Sequence, residues 1–464
     1  MKPWFFLLVL LLSLSGFGAL CAETRPNIVF IISDDHAWTD YGFMGHPQIE
    51  TPHFDRLAAR SALFERGYVP TALCRPALAT LANGMYTHQH RISGNDPTRL
   101  PGMSRSGGKG EVIPDEYRAL QAELIAQIDR YPTIARLLTQ SGYLSHQSGK
   151  WWEGNYRRGG FTHGMTRGFP EPGGRHGDDG LKIGREGLAP VTDFIDYAVA
   201  EKKPFFLWHA PFMPHTPHTP PERLFAKYKA KGVASDFVAR YYAMVEWFDE
   251  SCGQLLSHLE TRGLTNNTLI VYVGDNGWIQ KTDAAGFAPR SKQSAYEGGV
   301  RQPILYSWPG VIRPGRRGVQ LASSIDIVPT ALAAAGLPVP AHLPGYNLLP
   351  VLKSGAPTPR HVVYGETFAH DVPSIENPVT SLVYRWVIDG PWKLLLTYDG
   401  EVSERYAGAN PRDELHPQLF YLLADPHEER NLAAARPEVV ARLADLLHQW
   451  WPAHERKVRT TWTE

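Results

Sequence analysis

The chain has only 3 cysteines in 464 residues, too few for a disulfide scaffold. It has no surplus of either charge: Lys plus Arg and Asp plus Glu both number 47. That balance excludes a protein that grips nucleic acid through a broad basic field. Beyond the N-terminal segment no stretch is apolar enough to span a bilayer. Internal repeats and low-complexity linkers are also missing. What is present is a 43% hydrophobic and 20% charged composition, which suits a folded chain and excludes wholesale disorder. The 42 Gly, 38 Pro and 13 Trp predict many ordered loops and aromatic-lined surfaces. The length accommodates one large α/β domain and a smaller one.

The first residues read as an address. Lys2 precedes the apolar run Trp4–Leu20, and Ala19-Leu20-Cys21-Ala22 is followed by polar Glu23. This predicts a signal peptide over 1–22, cleaved near Ala22, and an exported chain, periplasmic or secreted, with no stable membrane insertion afterwards. Cys74 and Cys252 then remain. Cys252 is assigned to the core face of a helix.

Asn27–Ser33 is a continuous apolar, β-branched run stopped by Asp34-Asp35. Such runs suit strands buried on both faces of a parallel sheet. Phe205–His209 and Leu269–Gly274 read the same way. Helices are predicted over Thr51–Gly67, Arg75–Ala82, Pro132–Ser141 and Ala239–Gly263. Alternating strands and helices predict a doubly wound α/β sheet. After about Leu352 the pattern changes. Val362–Thr367, Tyr384–Ile388, Lys393–Leu396 and Leu419–Leu422 predict short antiparallel strands, closed by a helix over Pro437–Trp451. The expected organisation is therefore a catalytic domain over 23–352 and a C-terminal α+β subdomain over 353–464.

Asp34 and Asp35 end one buried strand, and Asp275 and Asn276 end another. Ligands of open α/β sheets sit beyond the carboxyl ends of the strands. Three carboxylates and one amide gathered there would make an oxygen-rich site for Ca²⁺ or Mg²⁺, not for zinc. Cys74 opens a predicted helix, where its thiol would face the positive end of the helix dipole. The long loop Tyr156–Arg185 carries Arg157, Arg158, His163, Arg167, Arg175, His176, Lys182 and Arg185, a candidate anionic subsite.

From R-P-N-I-V-F-I-I-S-D-D to L-F-Y-L-L-A-D-P-H-E-E-R-N-L, the chain resembles the sulfatases of the alkaline phosphatase superfamily. The resemblance implies an alkaline-phosphatase-like doubly wound sheet with a smaller antiparallel sheet. It implies that Cys74, in C-R-P-A-L-A-T-L-A-N-G, is oxidised to formylglycine by a formylglycine-generating enzyme. It implies metal ligands at Asp34, Asp35, residue 74, Asp275 and Asn276, with Ca²⁺ favoured. Lys150 in Gly-Lys-Trp and Lys292 before Y-E-G-G-V-R match sulfate-binding lysines. His215 in A-P-F-M-P-H matches the acid toward the leaving oxygen. The implied activity is hydrolysis of sulfate esters, of a saccharide or a similar polar compound.

Two positions depart from the family pattern. Leu78 stands where the signature has Arg, and Trp152 stands where a His usually follows the Lys. That His ordinarily takes the proton from the second hydroxyl of the hydrated formylglycine. His88 and His90 are candidates to replace it, and Trp152 is a candidate platform for a sugar. Two alternatives stay open on these departures: a phosphoester hydrolase of the same superfamily, or a pseudo-sulfatase that binds sulfated glycans.

Overall fold

A computed structural model describes residues 25–104, 113–397 and 416–453. The expected signal peptide lies outside the described residues. An eight-stranded sheet organises the larger part. Its order is Gly315–Arg316, Ala62–Phe64, Ile304–Ser307, Thr268–Gly274, Asn27–Ser33, Phe205–Ala210, Leu144–Gly149 and His163–Gly164. The strands from Thr268–Gly274 to His163–Gly164 run parallel, whereas Ile304–Ser307 is antiparallel to both of its neighbours. The three apolar runs of the sequence are central strands. Their residues alternate between two cores: Ile28, Phe30 and Ile32 pack on one face, Val29 and Ile31 on the other. Both faces are covered, which is why these runs are apolar throughout.

The helix Asp236–Thr261 crosses one face. Cys252 is fully buried there, packed in the same core as Val29 and Phe248, and both described cysteines are free. One prediction fails over Thr51–Gly67. The helix stops at Ala59, and Ala62–Phe64 and Arg66–Tyr68 are short strands. Leu63 and Phe64 fit a helical spacing, but they pair with Ile304 and Leu305. Tertiary pairing overrides the local pattern.

The smaller sheet is antiparallel, in the order Val362–Phe368, Leu382–Asp389, Trp392–Thr397 and Gln418–Tyr421. Side chains alternate here too. Val387, Leu394 and Leu396 meet the helix Pro437–Trp450 through Val440, Leu443 and Leu447. Trp386, Ile388 and Leu395 face the larger part through Tyr68, Tyr296 and Leu321.

Candidate functional site

The paired strands Asn27–Ser33 and Thr268–Gly274 end together, with Ser33 opposite Gly274. The residues that follow therefore emerge side by side. The Asp35 amide donates to Asp275 Oδ1 at 3.2 Å, and Asn276 Nδ2 donates to Asp35 Oδ1 at 2.7 Å. Asp35 has φ +61°, a left-handed conformation uncommon outside glycine, held by these contacts. Lys150 leaves the end of Leu144–Gly149. Gly149 has φ +84°, and a Cβ there would lie 1.8 Å from the Ala210 carbonyl, so only glycine brings the two strand ends this close.

The predicted residues converge. Lys150 Nζ donates to Asp34 Oδ1 at 2.8 Å, and Lys292 Nζ donates to Asp35 Oδ2 at 2.7 Å. His215 Nε2 is 3.3 Å from Asp35 Oδ2 and 3.5 Å from Lys292 Nζ. Cys74, the first residue of the helix Cys74–Asn83, places Sγ 3.9 Å from Asp34 Oδ1. Cys74, Lys150, His215 and Lys292 line a cavity of about 360 Å³, with Trp152, Phe212 and Trp278 among its other walls.

Burial sets the protonation states. It pushes the Cys74 thiol up to about 12, overriding the helix dipole, so the thiol stays protonated and is a poor nucleophile as it stands. Burial also lowers His215 to about 4. His215 Nδ1 faces the Thr216 carbonyl at 2.6 Å, so it carries the proton and directs Nε2 at Lys292 and Asp35. Burial alone would raise Asp35, but Lys292, His215 and Lys150 outweigh it and bring the carboxyl down to about 2. Asp275 moves the other way: burial first, then Asp34, raise it well above the carboxylate range.

The donor set fits a hard cation. Asp275 Oδ2 and Asn276 Oδ1 are buried without a hydrogen-bond partner, although buried polar atoms are nearly always paired. Asp34, Asp35, Cys74 and His215 each present an atom within 4.8 Å of the others. Without a cation Asp275 keeps its proton, so two carboxylates balance the two ammonium groups. A divalent cation would ionise Asp275, leave the pocket positive and make it attractive to an anion.

The departures have structural explanations. Leu78 is buried in the apolar core with Phe30 and Leu81. Arg75 is committed elsewhere: its guanidinium meets Glu153 through two bonds, at 2.8 and 2.7 Å, and the Asn95 carbonyl at 3.1 Å. Trp152 is 4% exposed. Arg175 and Arg75 stand over its ring at 4.5 and 5.9 Å, and the His176 ring is 5.0 Å away. It is a wall of the pocket and not an open sugar platform. His88 and His90 do not replace the missing base. His88 Nδ1 is bound to Glu366 at 2.6 Å and its ring stacks on Trp451. His90 is fully buried against Thr80.

The basic loop contributes only in part. Arg175 and His176 reach the cavity, while Arg158 pairs with Asp129 and Lys182 with Asp179. Asn95 and His370 also line the cavity. Nothing in their local sequence marks them, because they arrive on loops from opposite ends of the chain.

A sequence profile for the family described as Sulfatase matches residues 26–337. The chain belongs to the sulfatase family. A second profile, N-sulphoglucosamine sulphohydrolase, C-terminal, matches residues 290–450. The chain is 31% identical to N-acetylgalactosamine-6-sulfatase of Canis lupus familiaris, covering 98% of this chain and 90% of the relative. It is 29% identical to arylsulfatase A of Homo sapiens, over 94% and 89% of the two chains. The crystal structure of Ps i-CgsB in complex with k-i-k-neocarrahexaose matches with a TM-score of 0.68 at 25% identity, over 93% of this chain and 94% of that one. The protein is thus a sulfuric ester hydrolase of the alkaline-phosphatase-like fold.

Proposed function

We propose that this sulfatase removes sulfate from a sulfated saccharide, with a formylglycine made from Cys74 by a formylglycine-generating enzyme. The observation that carries the reading is that Cys74, Lys150 and Lys292 line one cavity, next to strand ends where Asp275 Oδ2 and Asn276 Oδ1 are buried without a partner. The saccharide is supported by the relatives, which include N-acetylgalactosamine-6-sulfatase and a neighbour bound to neocarrahexaose.

Asp34, Asp35, Asp275, Asn276 and residue 74 would hold Ca²⁺, with Mg²⁺ as the alternative hard cation. When bound, the cation supplies Lewis-acid charge against sulfate oxygens and favours ionisation of a hydroxyl at residue 74. A hydrated formylglycine supplies two hydroxyls, one to attack sulfur and one to expel the sulfate afterwards. Lys150 and Lys292 bind the ester's oxygens and orient sulfur over residue 74. Burial of both lysines keeps water from screening their charge. Beside the anionic ester His215 would take up a second proton, on Nε2, and give it to the departing alcohol oxygen, while its Nδ1–H to the Thr216 carbonyl fixes the ring for that transfer.

We further propose that the segment 1–22 exports the chain and that 23–352 and 353–464 act as catalytic domain and subdomain. Among the described residues no helix is long and apolar enough to cross a membrane. The test is sulfate release by protein co-produced with a maturing enzyme, on aryl sulfate, aryl phosphate and a panel of sulfated hexosamines. Release from a sulfated saccharide is expected. Phosphate turnover without sulfate turnover, or glycan binding without release, would overturn the assignment of activity at this site.

A further inference from the structure

Position 152 offers an indole where the family resemblance implies an imidazole. The corner around it is tied to the C-terminal part of the chain through Arg175 and Asp96. Arg175 lies over Trp152 and pairs with Asp96. The short strand Asp96–Pro97 runs parallel to Asp371–Val372. The Asn95 amide donates to the His370 carbonyl at 2.9 Å. Asn95 is tied in turn to the helix of Cys74, because its Oδ1 accepts from the Arg75 amide at 3.1 Å. His370 is therefore pinned to the same loop as the start of that helix, and it lines the same cavity as Cys74, Lys150 and His215.

The orientation of His370 is specific. Its Nδ1 lies 2.7 Å from Asp371 Oδ1. A carboxylate at that distance accepts a hydrogen bond from Nδ1–H, which keeps the proton on Nδ1 and leaves the lone pair on Nε2. Asn95 Nδ2, a donor, sits 3.4 Å from Nε2, which agrees with Nε2 as the acceptor. None of the other described imidazoles lining the cavity has a carboxylate on Nδ1. His215 Nδ1 faces a carbonyl, and His176 Nδ1 is buried without a partner. Asp96, His370 and Asp371 are close enough together to suggest a cation site. Both oxygens of Asp96 are bonded to Arg175, however, so a guanidinium already fills that place.

We propose that His370, oriented by Asp371, is the proton acceptor of this pocket and replaces the imidazole missing at position 152. The proposal rests on the formylglycine reading. His370 Nε2 takes the proton of the free hydroxyl on the Cβ of residue 74. The O–H electron pair becomes the second bond of the aldehyde. The bond from Cβ to the sulfate oxygen breaks, and its pair leaves with the sulfate dianion. The proton ends on Nε2, where Asp371 stabilises the imidazolium. His370 is the catalytic residue of this step and Asp371 a positioning residue.

The test combines kinetics with a readout that needs no turnover. In the mature enzyme, His370→Ala is expected to lower kcat about 10²- to 10⁴-fold with little change in KM, and added imidazole is expected to restore part of the rate. In protein that keeps the Cys74 thiol, ¹⁵N NMR of the histidines is expected to show His370 as the Nδ1–H tautomer. Asp371→Asn is expected to abolish that preference and lower kcat as well. A His370→Ala enzyme within threefold of the wild-type kcat overturns the proposal, as does an Nε2–H tautomer in the wild type. A wild type that carries formylglycine and still releases no sulfate overturns the functional reading as well.

Discussion

Two buried clusters in this protein both set carboxyl groups against cations and solve opposite problems. Behind the small sheet's first strand, Arg360 meets Asp326 through two bonds. Asp326 also accepts from the Ser323 amide at 3.0 Å and the Tyr346 amide at 2.7 Å, so its oxygens are saturated. At the strand ends beside the pocket, Asp275 Oδ2 and Asn276 Oδ1 have no partner, and burial keeps Asp275 protonated. A saturated cluster holds segments together. An unsaturated one, kept that way by surrounding strands, is set aside for something that arrives later. Unmet charge at a strand end, more than buried charge as such, therefore marks the reactive place.

That contrast can be broken at either cluster. The largest expected effect is at the pocket. Asp275→Ala removes charge that the ligand needs, so turnover should fall about 10²- to 10³-fold or more. The melting temperature should hold or rise, because a buried carboxyl with an unpaired oxygen is lost. Cys74→Ser should likewise abolish sulfate release while the protein stays folded. Thermal melts and sulfate assays on the same preparations check both. Arg360→Ala should show the reverse pattern. It leaves Asp326 buried without its counter-ion, at a cost of about 3–5 kcal/mol, while KM for the sulfate ester stays unchanged where the protein remains folded. Denaturant midpoints and initial rates separate the two outcomes. Equal stability losses for Asp275→Ala and Arg360→Ala would erase the distinction drawn between the clusters.

Leu78 sharpens the comparison, since the family places a cation there. Its burial among apolar side chains predicts that Leu78→Ala costs about 2–5 kcal/mol and leaves KM alone. A rise in KM without loss of stability would mean that position 78 contacts the ester. The smallest effect concerns pH. His90 is fully buried, and burial lowers it to about 3 from 6.5. Its unfolded form therefore binds a proton between these values while the folded form does not. Stability contributed this way is present above 6.5 and is lost as the pH falls below it. His90→Gln should shrink the gap between urea midpoints at pH 7.5 and pH 5.0. An unchanged gap would remove His90 from the acid sensitivity.

Much of the site was legible because chemistry follows strand ends. Apolar runs doubly buried in a sheet are readable from composition, and the acidic pairs after Ser33 and Gly274 announce themselves as soon as the strands do. The register that brings them together is a property of the sheet, yet equivalent strand ends already suggested it. The smaller sheet was legible for the same reason of alternation. Other features lay beyond local pattern. Leu63 and Phe64 carried a helical spacing that pairing with Ile304–Ser307 overrode. His88 and His90 looked available because they stood near Cys74 in sequence, but one is held by Glu366 and the other is sealed in the core. His370 lies far from Cys74 along the chain, and only the pairing of Asp371–Val372 with Asp96–Pro97 brings it to the cavity.

The measurement that tests the central claim most directly is mass spectrometry of the tryptic peptide Gly67–Arg91, from protein made beside a sulfatase-maturing enzyme. Arg75 precedes Pro76, so this peptide carries residue 74 intact. The expected peptide is lighter than the thiol form and reactive toward an aldehyde reagent, which would show that the pocket is built around a formylglycine. A peptide that keeps its thiol, in a host that matures another sulfatase in parallel, would contradict it.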